Sequence, residues 1–149
     1  MEQQIRTNLS DAKPVFELAS IYMQMQRTNA ALELLDRVVA RPEADVNAVL
    51  SVANAYAQMQ QGPRLETALR RLVVLTPESP EAWYDLASTQ AILGRTNEAV
   101  QNLRKAVELS TLRLARDPTQ HDLRKSLVTN ASFAALRGSP EFQKLASPP

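Results

Sequence analysis

The chain repeats itself with a period of about 34 residues, and this period constrains its fold more tightly than any other feature. At that offset Val15, Val49 and Trp83 fall into line, then Leu18, Val52 and Leu86, then Ala19, Ala53 and Ala87. Met25, Met59 and Leu93 follow. In the second half of each unit the same offset aligns Ala31, Leu65 and Ala99; Leu35, Leu69 and Leu103; and Val38, Leu72 and Ala106. Val39, Val73 and Val107 are identical, and Arg27-Thr28-Asn29 returns two periods later as Arg95-Thr96-Asn97. Two consecutive intervals without a gap leave little room for chance.

Each unit reads as two helices. Val15, Leu18, Ala19, Tyr22 and Met25 follow the three-and-four spacing of one helical face, and Ala31, Leu35, Val38 and Val39 do the same. Between them lies the polar stretch Arg27-Thr28-Asn29, where Thr28 or Asn29 is expected to cap the second helix. In the middle unit the expected break is Gly62-Pro63. Pro42, Pro77 and Pro80 punctuate the joins, since proline suits a helix start and not its interior. Ala19, Ala53 and Ala87 stand where two helices must approach closely, so a larger side chain there would push the pair apart.

With these residues in place the chain resembles the tetratricopeptide repeat family, whose unit is a helix–turn–helix of this same length. The third unit matches best, with Trp83, Leu86-Ala87, Gly94, Ala99 and Leu103. Tyr22 and Tyr56 supply the tyrosines the pattern favours, where the third unit has Gln90. Gln26 and Gln60 stand where the turn glycine belongs. The closing proline is Pro77, shifted to Pro42 in the first unit and replaced by Thr111 in the third. The resemblance covers residues 12–111 and implies an all-α fold, a right-handed α-solenoid of antiparallel helix pairs.

The boundaries expected are an N-terminal segment over 1–11 and repeats over 12–45, 46–79 and 80–116, in one domain. The last repeat helix is expected to run about two turns longer than the others, because Val100, Leu103, Val107, Leu109, Leu112 and Leu114 continue the pattern to Arg116 before Asp117-Pro118 stops it. Residues 117–149 depart from the period. Leu123, Leu127 and Val128 suggest one helix, and Phe133, Leu136, Phe142 and Leu145 suggest two short ones around Gly138-Ser139-Pro140, before a frayed Ser147-Pro148-Pro149. A repeat stack leaves its last apolar face bare, and this tail is expected to cap it.

Composition removes most chemistries. The 149 residues hold no cysteine and one histidine, which excludes thiolate nucleophiles, disulfide frameworks and multi-histidine zinc sites. His121 has no serine and acid beside it in a triad pattern and reads as a surface or capping residue. Gly62, Gly94 and Gly138 are too scattered for a phosphate loop. The chain is therefore read as non-enzymatic, with no cofactor and no metal. Arg37, Arg71 and Lys105 share one register on the second helices, joined by Arg70, Arg104, Arg113, Arg116, Arg124 and Lys125. With Glu33, Asp36 and Glu108 nearby and a formal net charge of +1, this is a solvated face, and nucleic acid is not an expected partner.

The resemblance implies that the first helices line a concave groove. Phe16, Glu17, Ser20 and Met23 of the first unit, Leu50, Asn54 and Gln58 of the second, and Glu81, Tyr84, Asp85 and Ser88 of the third are its candidate residues. Lys13, Gln24, Asn47, Ser51, Ala57, Ala91 and Ile92 lie beside them. Phe16, Leu50 and Tyr84 share one register and are expected to form an apolar ladder, unless they pack against the N-terminal segment or the C-terminal tail. Some members of the family clamp the C-terminal carboxylate of a heat-shock chaperone. The clamp positions here carry Phe16, Ser20, Ser51, Glu81 and Asp85, and the two acids would repel it. Glu17, Glu81 and Asp85 suit instead an amphipathic helix or extended peptide with an apolar strip and some positive charge.

The expected function is a non-enzymatic scaffold that docks a segment of a partner protein. Two alternatives stand beside it: self-association, as a homodimer, through the ladder or the long third-repeat helix; and the regulatory or anchoring end of a larger, membrane-bound bacterial enzyme. No segment approaches the ~20 apolar residues of a membrane span and no secretory signal is present, so direct membrane insertion is not expected. If Met1 is the natural start, the cytoplasm is the expected location. The bacterial origin is a reading of the style of the cap.

Overall fold

The computed structural model describes residues 12–148. The segment 1–11 and Pro149 lie outside the described residues, so the expectations placed there are not addressed. The described chain is all-α: α1 (Lys13–Gln24), α2 (Thr28–Ala40), α3 (Val46–Gln58), α4 (Gly62–Leu75), α5 (Pro80–Ile92), α6 (Thr96–Arg116), α7 (Leu123–Thr129), a 3-10 helix (Ala131–Leu136) and α8 (Pro140–Ala146). No helix among the described residues is long and apolar enough to cross a membrane. The chain divides into two compact units between Arg64 and Leu65.

In the first unit α1 packs on α2 and α2 on α3. The buried set is Val15, Leu18 and Ala19 from α1; Ala31, Leu32, Leu34, Leu35, Val38 and Val39 from α2; Val49, Val52, Ala53 and Tyr56 from α3. Of the face expected on α1, Tyr22 is half-buried and Met25 is 60% exposed, and Leu32 and Leu34 join the face expected on α2. Burying an aliphatic side chain of this size stabilises by about 1.5–3 kcal/mol, which fixes which face of each helix turns inward. Pro14 sits in the first turn of α1, where its missing N–H leaves no hydrogen bond unmade. Asp45 caps α3 by accepting from the Ala48 amide at 2.8 Å.

The second unit is built on the antiparallel pair α5 and α6, with the 3-10 helix on α5 and α7 and α8 on α6. Ser79 caps α5 and Pro80 opens it. The core joins Ala87 and Ala91 of α5 and Ala99, Val100, Leu103 and Val107 of α6 to Leu127, Phe133, Leu136 and Phe142 of the tail. Leu123 is also buried, and its amide donates to the buried Ser110 hydroxyl at 3.2 Å. The tail thus covers the face of α5 and α6 that has no further helix pair. With 21 residues α6 exceeds the 13 and 14 of α2 and α4, and it ends at Arg116 ahead of Pro118.

All three turns within the helix pairs close alike. The Arg27, Gln61 and Arg95 amides donate back to the Tyr22, Tyr56 and Gln90 carbonyls, at 2.7, 2.9 and 2.9 Å. The residue before each takes a left-handed backbone: Gln26 at φ 58°, Gln60 at φ 54° and Gly94 at φ 78°. This is a Schellman closure, in which glycine is the usual residue and glutamine carries a steric cost. The missing turn glycines therefore change the strain of the turn and not its shape.

Further expectations are corrected. Thr28 and Asn29 do not cap α2; both lie inside it, and Arg27 stands at the N-cap without a side-chain bond. Gly62 and Pro63 do not form the break; they open α4, and the break is the Schellman turn before them. Ala91 is buried in the core and not on an exposed face. Val128 and Leu112, counted as core-facing, are 61% and 53% exposed.

Candidate partner-binding groove

Two adjoining clefts open in the first unit between α1 and α3. The larger, about 590 Å³, is lined from α1 by Lys13, Phe16, Glu17 and Ser20, from α3 by Asn47, Ala48 and Ser51, and at one end by Arg41, Glu43, Ala44 and Asp45. The smaller, about 380 Å³, is lined by Phe16, Ala19, Ser20 and Met23 of α1 and by Ala55, Gln58 and Met59, with Ala31 and Leu35 of α2 as its floor. Phe16 and Ser20 line both, so the two clefts adjoin along α1, and the pair is termed the channel.

The geometry follows from helical spacing. Phe16, Ser20 and Met23 recur at four and three residues on α1, and Asn47, Ser51, Ala55 and Gln58 do so on α3. Each stripe lies beside the buried one, so the walls alternate the apolar Phe16 and Met23 with the polar Ser20, Asn47, Ser51 and Gln58. The connecting segment that closes one end, Glu43 to Asp45, was not among the residues the sequence singled out; only the capping pattern at Asp45 marks it there.

The candidate residues divide among different surroundings. Phe16, Glu17, Ser20, Met23 and Gln58 line the clefts. Leu50 and Asn54 lie on the exposed flank of α3 and line neither cleft, with Leu50 39% exposed. In the second unit Tyr84 turns toward the tail. Its ring meets Phe133 edge-on at 5.4 Å, and its hydroxyl accepts from Asn130 Nδ2 at 2.9 Å. Ser88 is half-buried. The three residues of the expected ladder share a register but not an environment, and Tyr84 takes the alternative in which the tail covers it.

Charge in the second unit is held locally. Glu81 pairs with Arg113 at 2.6 Å. Crowding by protein works to raise its pKa, but the Arg113 hydrogen bond and charge and the backbone amide outweigh it and leave the carboxyl below its usual value. Asp85, one turn on, has no such cation among the described residues. Loss of water around its carboxyl, and then the Glu81 charge, push its pKa up. His121 pairs with the Ser126 hydroxyl at 2.8 Å on the surface.

Two segments, residues 12–45 and 80–111, match the sequence model of the tetratricopeptide repeat. The chain carries tetratricopeptide repeats. The matched segments contain α1 with α2 and α5 with the greater part of α6. No curated protein matches the chain significantly. Tetratricopeptide repeats generally mediate protein–protein interactions and typically belong to scaffolds that are not enzymes.

Proposed function

We propose that this tetratricopeptide chain docks a segment of another protein in the channel between α1 and α3. The observation that carries the reading is the adjacency of the two clefts at Phe16 and Ser20, which together offer apolar side chains flanked by polar ones along α1 and α3. The larger cleft is rimmed by Glu17, Glu43 and Asp45 against Lys13 and Arg41. That balance favours an extended peptide or amphipathic helix with apolar side chains and flanking lysine or arginine. Phe16 and Met23 would supply the apolar contact, and Ser20, Asn47, Ser51 and Gln58 the hydrogen bonds to its backbone. Neither catalysis nor a cofactor enters this role.

Peptides selected from a random library against the full chain test it. Ser51→Trp, which places a large side chain into the channel from an exposed position, should weaken a selected peptide by at least about tenfold, or roughly 1.4 kcal/mol. Leu50→Asp, on the flank outside the clefts, should leave it unchanged. A peptide that is insensitive to Ser51→Trp and lost with Leu50→Asp would move the site to the outer face of α3.

A further inference from the structure

The two junctions between successive helix pairs use the same positions with opposite charge. In the first unit Arg64 Nε pairs with Asp36 at 3.1 Å. In the second, Arg70 pairs with Glu98. Asp36 and Arg70 stand one period apart, and so do Arg64 and Glu98. The ion pair therefore recurs with its ends exchanged. The residue at the tyrosine position keeps to the carboxylate in both. The Tyr56 hydroxyl donates to Asp36, while Gln90 Nε2, also one period on, donates to Glu98 at 3.3 Å.

The second junction adds a group without counterpart in the first. Glu66 is 3% exposed and occupies the position that Leu32 and Val100 hold in the neighbouring units. Its carboxylate accepts from Gln90 at 3.1 Å, from Arg70 at 2.8 Å and from Arg95 at 2.9 Å.

We propose that this reversal is a register key, which disfavours seating the third helix pair on the first and the second pair on the second pair of another copy. Seating the third pair on the first would set Glu98 against Asp36 and leave Gln90 and Arg95 facing the aliphatic Leu32. Seating the second pair on the second pair of another copy would set Arg64 against Arg70 and leave Glu66 without Gln90 and Arg95. Both of these seats join like charges and strand a polar group that the right seat satisfies. The need is inherent in a repeat chain, because near-identical apolar faces are interchangeable and exchange between copies is the characteristic failure of such proteins. The correct ion pairs are half-exposed and add little stability themselves, so their effect lies in what they exclude.

Refolding from urea at high protein concentration, read as the dimer fraction by light scattering on a sizing column, tests this. Asp36→Asn only removes the native pair, whereas Asp36→Arg also gives the first pair an attraction for Glu98. Asp36→Arg should yield about fivefold more exchanged dimer than Asp36→Asn. The double change Asp36→Arg with Arg64→Glu restores attraction at the first junction while giving both junctions the same sense. It should regain the native urea midpoint and still yield the excess dimer, which keeps the test decisive if Asp36→Arg alone does not fold. Equal dimer fractions for Asp36→Arg and Asp36→Asn, or a double variant that refolds as cleanly as the native chain, would overturn the proposal.

Discussion

Gln90 Nε2 lies 3.1 Å from Glu66 Oε1, and the two side chains are buried together in the second unit. A carboxylate at an aliphatic position is tolerable only because its partners come with it. Gln90 in turn accepts from Asn102 Nδ2 at 2.6 Å, so both ends of its amide are used. Arg70 and Arg95 keep about half of their side-chain surface in water, and only Glu66 is withdrawn from it.

That asymmetry separates two substitutions. Glu66→Ala leaves a cavity and takes one acceptor from the buried Gln90 amide, and should cost about 2 kcal/mol. Glu66→Leu fills the space as Leu32 does one period earlier but takes the same acceptor from Gln90, so it should cost about 1 kcal/mol, still less than Glu66→Ala, because both arginines remain hydrated. Urea unfolding of the two variants beside the native chain reads the difference.

The same carboxylate sets a pH dependence. Burial raises the Glu66 pKa, but hydrogen bonds from Gln90 and Arg70 and the charges of Arg70 and Arg95 outweigh it and leave the pKa lowered. A lowered folded value means that the contribution is complete above the unfolded pKa of about 4.3 and is lost as pH falls through the folded one. Thermal unfolding should weaken over that acid range in the native chain and lose part of this slope in Glu66→Leu.

Asp85 has the opposite sign. Its pKa is raised by lost hydration and by Glu81, so the ionised form is a liability that disappears as pH falls through the folded value. Asp85→Asn should raise Tm at pH 7 and lose this advantage near pH 4, where the native carboxyl also protonates.

The turns give a third contrast. A Cβ at Gly94 would meet nothing within 4 Å, so Gly94→Ala should cost about 1 kcal/mol through its φ of 78° alone. Gln60→Gly should stabilise by about 0.5 kcal/mol, less than the strain relieved, because glycine also loosens the unfolded chain. Paired Tm measurements should show shifts of opposite direction.

The tail carries its own prediction. Phe133 is fully buried between Tyr84 and Phe142, with ring centroids at 5.4 and 5.9 Å. Phe133→Ala should cost about 3–5 kcal/mol. Trp83, the one tryptophan, belongs to the second unit and should report that loss by fluorescence.

The helix pairs were legible because apolar spacing of three and four residues needs only local sequence to be seen. The long α6 was legible for the same reason, since Thr111 offers no stop and Pro118 does. What escaped depended on contacts or on backbone geometry. Gln26 and Gln60 hold a left-handed turn that side-chain type does not announce. Arg27, and not Thr28, stands at the N-cap of α2 because the Schellman turn brings the chain in at that residue. Tyr84 meets Asn130 across 46 residues, a pairing no periodicity contains. The channel itself combines stripes from α1 and α3 with a floor from α2, so single-helix patterns yield its walls separately and never its depth.

Docking in that channel is tested most directly by amide chemical-shift mapping of the full chain titrated with a selected peptide. The predicted result is a saturable set of shifts at Phe16, Ser20, Asn47, Ser51 and Gln58, with Leu50 and Asn54 little moved. Shifts centred on Leu50 and Asn54 with the channel unchanged, or shifts that follow protein concentration without peptide, would contradict it.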